Sequence, residues 1–125
     1  ASGGELSRVL LALVVVVAGR RERTALVFDE IDAGIGGATA SAVGARLARL
    51  AADAQVVCVT HLAQIASCGE THIALRKHVR GGVTTIDALA LSGEARQVEV
   101  ARMLSGDELG VALEHAAELL AARGR

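Results

Sequence analysis

Residues 24–32 read Thr-Ala-Leu-Val-Phe-Asp-Glu-Ile-Asp, a short apolar run that ends in two adjacent carboxylates, with a third two residues later. Ala25, Leu26, Val27 and Phe28 have the length and apolarity of a strand buried on both faces, the kind found in parallel sheets. Asp29 and Glu30 then fall at that strand's C-terminal edge, where open α/β sheets bind ligands. At the mouth of a buried strand, two neighbouring acids repel each other, so the position calls for a bound cation or a proton. The usual occupant is Mg²⁺ with a nucleotide: the aspartate holds the metal and its water, and the glutamate orients or activates the attacking water. A solvated loop after a core strand is the other reading of this pair, and the pair alone does not choose between them.

The rest of the chain supplies an α/β frame for that strand. Ser2 and Glu5 have capping-box spacing. Leu6, Val9, Leu10, Leu13, Val14 and Val17 follow at helical spacing until Gly19 stops the helix. After Asp32, the loop Ala33-Gly34-Ile35-Gly36-Gly37 leads into a helix from Ala38 to about Ala52, with Val43, Leu47 and Leu50 inward. Gln-Val-Val-Cys-Val-Thr (55–60) is a second buried strand, so strand, helix, strand implies a right-handed parallel crossover. His61 and a short helix over 62–67 come next. The run 71–79 alternates as a strand, with Ile73, Leu75 and Val79 on one face and His72, Arg76 and His78 on the other. Arg80-Gly81-Gly82 turns the chain, and 83–91 returns as an antiparallel partner. Helices over 93–104 and 107–122 complete it.

Composition excludes several classes of function. A net charge of −1 gives no global field toward nucleic acid or membrane. One Phe, with no Trp or Tyr, leaves no base-stacking platform for single strands. The apolar run 9–18 is too short to span a bilayer, and Glu5 before it argues against a signal peptide. Cys58 and Cys68 form no C-x-x-C, which fits two free thiols in a reducing cytosol better than zinc. Cys68 with His72 would be half a metal site, and no second pair follows. The chain opens at Ala1, directly inside a motif, and is read as a piece of a longer protein.

Three features are expected at one sheet edge: Asp29-Glu30, His61, and the helix start Ser2-Gly3-Gly4. Two glycines in a first helical turn cost up to about 1 kcal/mol each against Ala, which makes sense where bare N–H groups approach a phosphate. The cap alone and a core histidine remain the plainer readings of Ser2 and His61. The loop Gly34-Ile35-Gly36-Gly37 is not a dinucleotide fingerprint, because Thr39 stands where the third glycine belongs. No G-x-x-x-x-G-K-[ST] occurs in the chain, whose only lysine is Lys77, so it carries no phosphate cradle of that kind.

Ala1-Ser2-Gly3-Gly4-Glu5, Leu26-Val27-Phe28-Asp29-Glu30-Ile31-Asp32 and Val59-Thr60-His61 resemble, in that order, the signature motif, Walker B motif and switch histidine of ABC-type ATPase heads. The glutamate-ended signature and the Asp-Glu-x-Asp run are closer to the SMC and Rad50-like branch, which includes bacterial proteins of double-strand break repair. The resemblance implies that 1–125 is the C-terminal portion of a P-loop head: parallel strands with flanking helices, an antiparallel hairpin and C-terminal helices. The Walker A lobe would lie upstream. It further implies ATP and Mg²⁺ as cofactors, a second head as partner in a homodimer, DNA bound by the whole protein, and a bacterial cytoplasmic, nucleoid-associated location. Carried over residue by residue, Ser2, Gly3 and Gly4 would contact the ATP γ-phosphate in trans. Asp29 would serve Mg²⁺ largely through water, Glu30 would be the general base, and His61 would contact the γ-phosphate and hold the water. The chain alone would then be half a site, without hydrolysis of its own.

Two positions depart from the pattern. Ala1 stands where a Leu opens the usual signature. Gly36 stands where an aspartate is usual after Walker B, so that residue's cross-dimer role is not transferred to Asp32. Two other readings stay open at this stage. Asp29-Glu30-Ile31-Asp32 also matches the D-E-x-D box of helicases, although a Ser-Ala-Thr stretch and arginine-rich later motifs are absent. A non-catalytic interaction module would make the acids and His61 ordinary surface residues. Arg76, Lys77, His78 and Arg80 at the hairpin tip could touch phosphates, but a solvated turn accounts for them more simply.

Overall fold

The computed structural model describes residues 5, 8, 9, 11–13, 25–105 and 109–122. Ser2, Gly3 and Gly4 lie outside the described residues, as do Leu6, Leu10, Val14, Val17 and the helix stop at Gly19. The elements in order are β1 (Ala25–Phe28), α1 (Gly37–Leu50), β2 (Gln55–Cys58), α2 (Ala63–Ala66), β3 (His72–Arg80), β4 (Val83–Leu91), α3 (Gly93–Ser105) and α4 (Leu109–Ala122). They fall into two compact units divided between Cys68 and Gly69.

In the first unit β1 and β2 pair in parallel, Ala25 opposite Gln55 and Phe28 opposite Cys58. The expected parallel α/β pairing is therefore present, with α1 in the connection. Period-two alternation sends Leu26, Phe28, Val56 and Cys58 toward a core built from Leu11, Ile31, Ala40, Val43, Leu47, Leu50 and Ile65. The strands are not buried on both faces as their apolarity suggested. Val27 is 69% exposed and Val57 47%, because the described core lies on the other face of the pair.

The helical residues before β1 bring a second correction. Leu11 is buried, whereas Val9 and Leu13, placed inward by spacing, are more than half exposed. The run 9–18 is apolar throughout, so periodicity had no polar face against which to choose a buried one.

The second unit is a hairpin followed by two helices. β3 and β4 are antiparallel, with Arg80 opposite Val83 across a two-residue turn. Gly81 and Gly82 both have positive φ (56° and 81°), the backbone a type I′ turn requires. Gln97 of α3 donates to the Leu113 carbonyl of α4 at 3.0 Å, and Val100, Ala101, Ala112 and Ala116 are buried. The β3 alternation is present, and burial falls on the His72 face. His72 and Ala74 are buried, whereas Ile73, Leu75 and Val79 are exposed. The charges of Arg96 and Glu99 of α3 act on the buried His72. Burial, then the Arg96 charge, lowers the His72 pKa against the opposing pull of Glu99, so His72 is neutral near pH 7.

Candidate functional site at the parallel strand edge

Parallel register carries Asp29 and His61 past the same end of the β1–β2 pair. The Val59 N–H donates to the Phe28 carbonyl at 2.9 Å, extending the ladder one bond beyond the strands. Asp29 and Glu30 are exposed there, and the His61 side chain is 75% exposed. The Glu30 N–H donates to Asp29 Oδ1 at 2.9 Å. Glu30 itself sits at φ 56°, in the left-handed region, and is the one such non-glycine among the described residues. That backbone costs an L-residue on the order of 1 kcal/mol, and such strain clusters at functional sites.

Ile31 and Asp32 then turn inward. Ile31 is fully buried and Asp32 is 4% exposed. Arg8 Nη1 donates to the Ala33 carbonyl at 2.9 Å and to the Ile31 carbonyl at 3.4 Å, tying a helical residue before β1 to this turn. Asp32 Oδ2 accepts from the Thr60 hydroxyl at 2.6 Å and from the His61 backbone N–H at 2.8 Å. His61 Nδ1 lies 2.9 Å from the same oxygen. Thr60 Oγ1 in turn accepts the Leu62 N–H at 3.0 Å. Burial raises the Asp32 pKa, but the Thr60 and His61 hydrogen bonds and the His61 charge outweigh it and hold the carboxyl below its usual value.

The structure thus brings Asp29, Glu30 and His61 to one edge, with Asp32 behind them. Asp32 carried no role at the sequence level, because its partners lie 28 and 29 residues away. A buried aspartate two residues past a charged pair, with a Thr-His ending the next strand, is the available signal. Among the described residues no group of three His, Cys, Asp or Glu converges as a metal cage. Asp29 offers a hard oxygen ligand that suits Mg²⁺, an ion that keeps several waters, so it fits a water-mediated role. Cys58, beneath the edge, has its thiol pushed up to about 11, by burial first and then by Asp32 and Asp29.

The parallel pair that ends in Asp-Glu on one strand and Thr-His on the next belongs to a fold shared with a solved SMC ATPase. A solved structure from work on ATP-driven dimerization and DNA stimulated activation of SMC ATPases superposes with TM-score 0.50, at 23% identity, over 71% of this chain and 54% of that one. Over the stretch it spans, the chain is similar to DNA repair proteins named RecN. It is 53% identical to RecN of Deinococcus radiodurans over 97% of this chain, and 51% identical to RecN of Treponema pallidum over 100%. RecN of Bacillus subtilis is 38% identical over 96% of it. The chain spans about a fifth of the length of these relatives, 21% of the first and 22% of the second. No protein-family model matches it.

Proposed function

We propose that this chain is the C-terminal half-site of a RecN-type ATPase head, which hydrolyses ATP as heads engage on DNA during double-strand break repair. The observation that carries the reading is the single edge bearing Asp29, Glu30 and His61, with Glu30 held in a left-handed backbone. The RecN relatives favour it over the D-E-x-D helicase and the interaction module. The SMC work describes ATP-driven dimerization and DNA stimulated activation, which supports a second head and DNA as partners. Among the described residues no helix is long and apolar enough to cross a membrane. The RecN relatives support the bacterial cytoplasm, in association with the nucleoid, as the proposed location.

In this mechanism Glu30 takes the proton of the attacking water and His61 holds that water against the γ-phosphoryl group. Asp29 would hold Mg²⁺ largely through water. Mg²⁺, when bound, neutralises charge that develops on the phosphates. Ser2, Gly3 and Gly4 offer backbone N–H groups to the γ-phosphate of the nucleotide on the partner head, while an upstream Walker A lobe cradles the nucleotide in cis.

Glu30→Gln in the assembled head is the test. Mg²⁺-ATP binding should persist while turnover falls by roughly 10²-fold or more, the usual scale for a general base. The 125-residue chain alone should show no hydrolysis above background. Unchanged turnover in the variant head, or Glu30-dependent turnover by the chain alone, would overturn the assignment.

A further inference from the structure

We propose that Asp32 is the positioning residue for His61, fixing the imidazole with Nδ1–H toward the protein and leaving Nε2 for the ligand. The identity of that ligand rests on the ATPase reading above; the proton assignment does not.

Three donors converge on one buried oxygen. The Thr60 hydroxyl, the His61 backbone N–H and His61 Nδ1 all meet Asp32 Oδ2, within 2.6 to 2.9 Å. An oxygen that accepts from the first two carries no hydrogen of its own. Thr60 cannot reverse its bond, because an ionised Asp32 carboxylate has no hydrogen to donate, and the Thr60 Oγ1 takes the Leu62 N–H on its other side. His61 Nδ1 must therefore be the donor in the third contact. The tautomer with its proton on Nε2 alone would place two acceptors 2.9 Å apart.

Two forms of His61 remain, and both suit a phosphate edge. With the ring neutral, the Nε2 lone pair accepts a hydrogen bond from water. With the ring doubly protonated, Nε2–H donates to a phosphoryl oxygen in a charge-assisted bond. Asp32 does not depend on His61 for its own placement. The Ile35 N–H donates to the Asp32 carbonyl, the Ala33 N–H donates to the Glu30 carbonyl, and Arg8 holds the carbonyls of 31 and 33. One turn thus sets both candidate catalytic groups: its start carries Glu30, and its buried aspartate aims His61. Holding the same residue by backbone and ring on one oxygen is the support that functional histidines draw from a carboxylate partner.

The experiment is long-range ¹H–¹⁵N correlation of the histidine rings in the ¹⁵N-labelled chain, with the His61 signals assigned by His61→Gln. The expected wild-type pattern is a protonated Nδ1 at His61. Asp32→Leu, which removes the acceptor at similar volume, should lose it in favour of the Nε2–H tautomer, while Thr60→Val, which spares the carboxylate, should keep it. An Nε2–H tautomer in the wild type, or an unchanged pattern in Asp32→Leu, overturns the proposal. Should Asp32→Leu fail to fold, the wild-type spectrum and Thr60→Val still decide. In the assembled head, Asp32→Leu should lower kcat about 10- to 100-fold, the scale on which orienting carboxylates act, with KM within about twofold. A normal kcat would also overturn it. If Glu30→Gln leaves turnover unchanged while the Nδ1–H pattern holds, the ATPase reading fails and the positioning stands.

Discussion

A carboxylate taken out of water is tolerated only where hydrogen bonds replace its hydration. At Asp32 the burial penalty and the Thr60 and His61 donors oppose each other, and the donors prevail, so the folded pKa lies below the usual 3.8. The sign follows from linkage: a depressed folded pKa contributes stability that is fully present above about 3.8 and is lost as pH falls through the folded value. Far-ultraviolet circular dichroism suits the measurement, since the chain has neither Trp nor Tyr. Urea midpoints should fall as pH drops below about 4 in the wild type, and fall less in Asp32→Asn. Equal pH dependence in the two proteins would show that Asp32 is not the linked group. That Asp29, Glu30 and His61 fall at one edge was legible in the sequence, because they close apolar runs that read as strands. Asp32 was not, because its role is a contact across 28 or 29 residues that no local pattern encodes.

At the scale of elements, local composition foretold pairing better than burial. The parallel β1–β2 pairing, the two-glycine hairpin and the inward Val43, Leu47 and Leu50 of α1 all follow from spacing. The exposed faces of β1 and β3 do not, because an alternating strand says which residues share a face and leaves open which face is covered. Gly44 was equally silent in the sequence. It is buried in α1, where an added Cβ would lie 2.8 Å from Cys68 Sγ, 3.0 Å from the Gln64 carbonyl oxygen and 3.3 Å from Ile65 Cα. Two of those neighbours are α2 backbone, which cannot swing aside. Alanine would gain about 1 kcal/mol of helix propensity. Overpacking of such a contact costs about 1–3 kcal/mol, and here the steric side should win. Gly44→Ala is expected to lower the urea midpoint at unchanged slope, with a net loss of about 1 kcal/mol. A raised midpoint would mean that α2 yields easily.

At the scale of the whole chain, each unit presents apolar residues to solvent. In the hairpin Ile73, Leu75, Val79 and Ile86 lie on one face and are 59%, 65%, 64% and 65% exposed. Register explains why they form a patch: Leu75 is opposite Ala88, and Lys77, the one charge on that face, is opposite Ile86. A contiguous apolar face of this kind drives association when nothing covers it. Sedimentation velocity on the 125-residue chain should therefore show association that grows with concentration. Leu75→Lys with Ile86→Lys should weaken it at least about tenfold, because each introduced charge would have to be desolvated in the contact. The thermal midpoint should hardly move, since exposed substitutions away from special backbone sites change stability by about 0.5 kcal/mol or less. Association unaffected by both lysines would move the contact to the other unit, where Val27, Val57 and Val59 are 69%, 47% and 50% exposed on the strand pair that carries the candidate site. In that case self-association would compete with assembly of the head on the same strand pair.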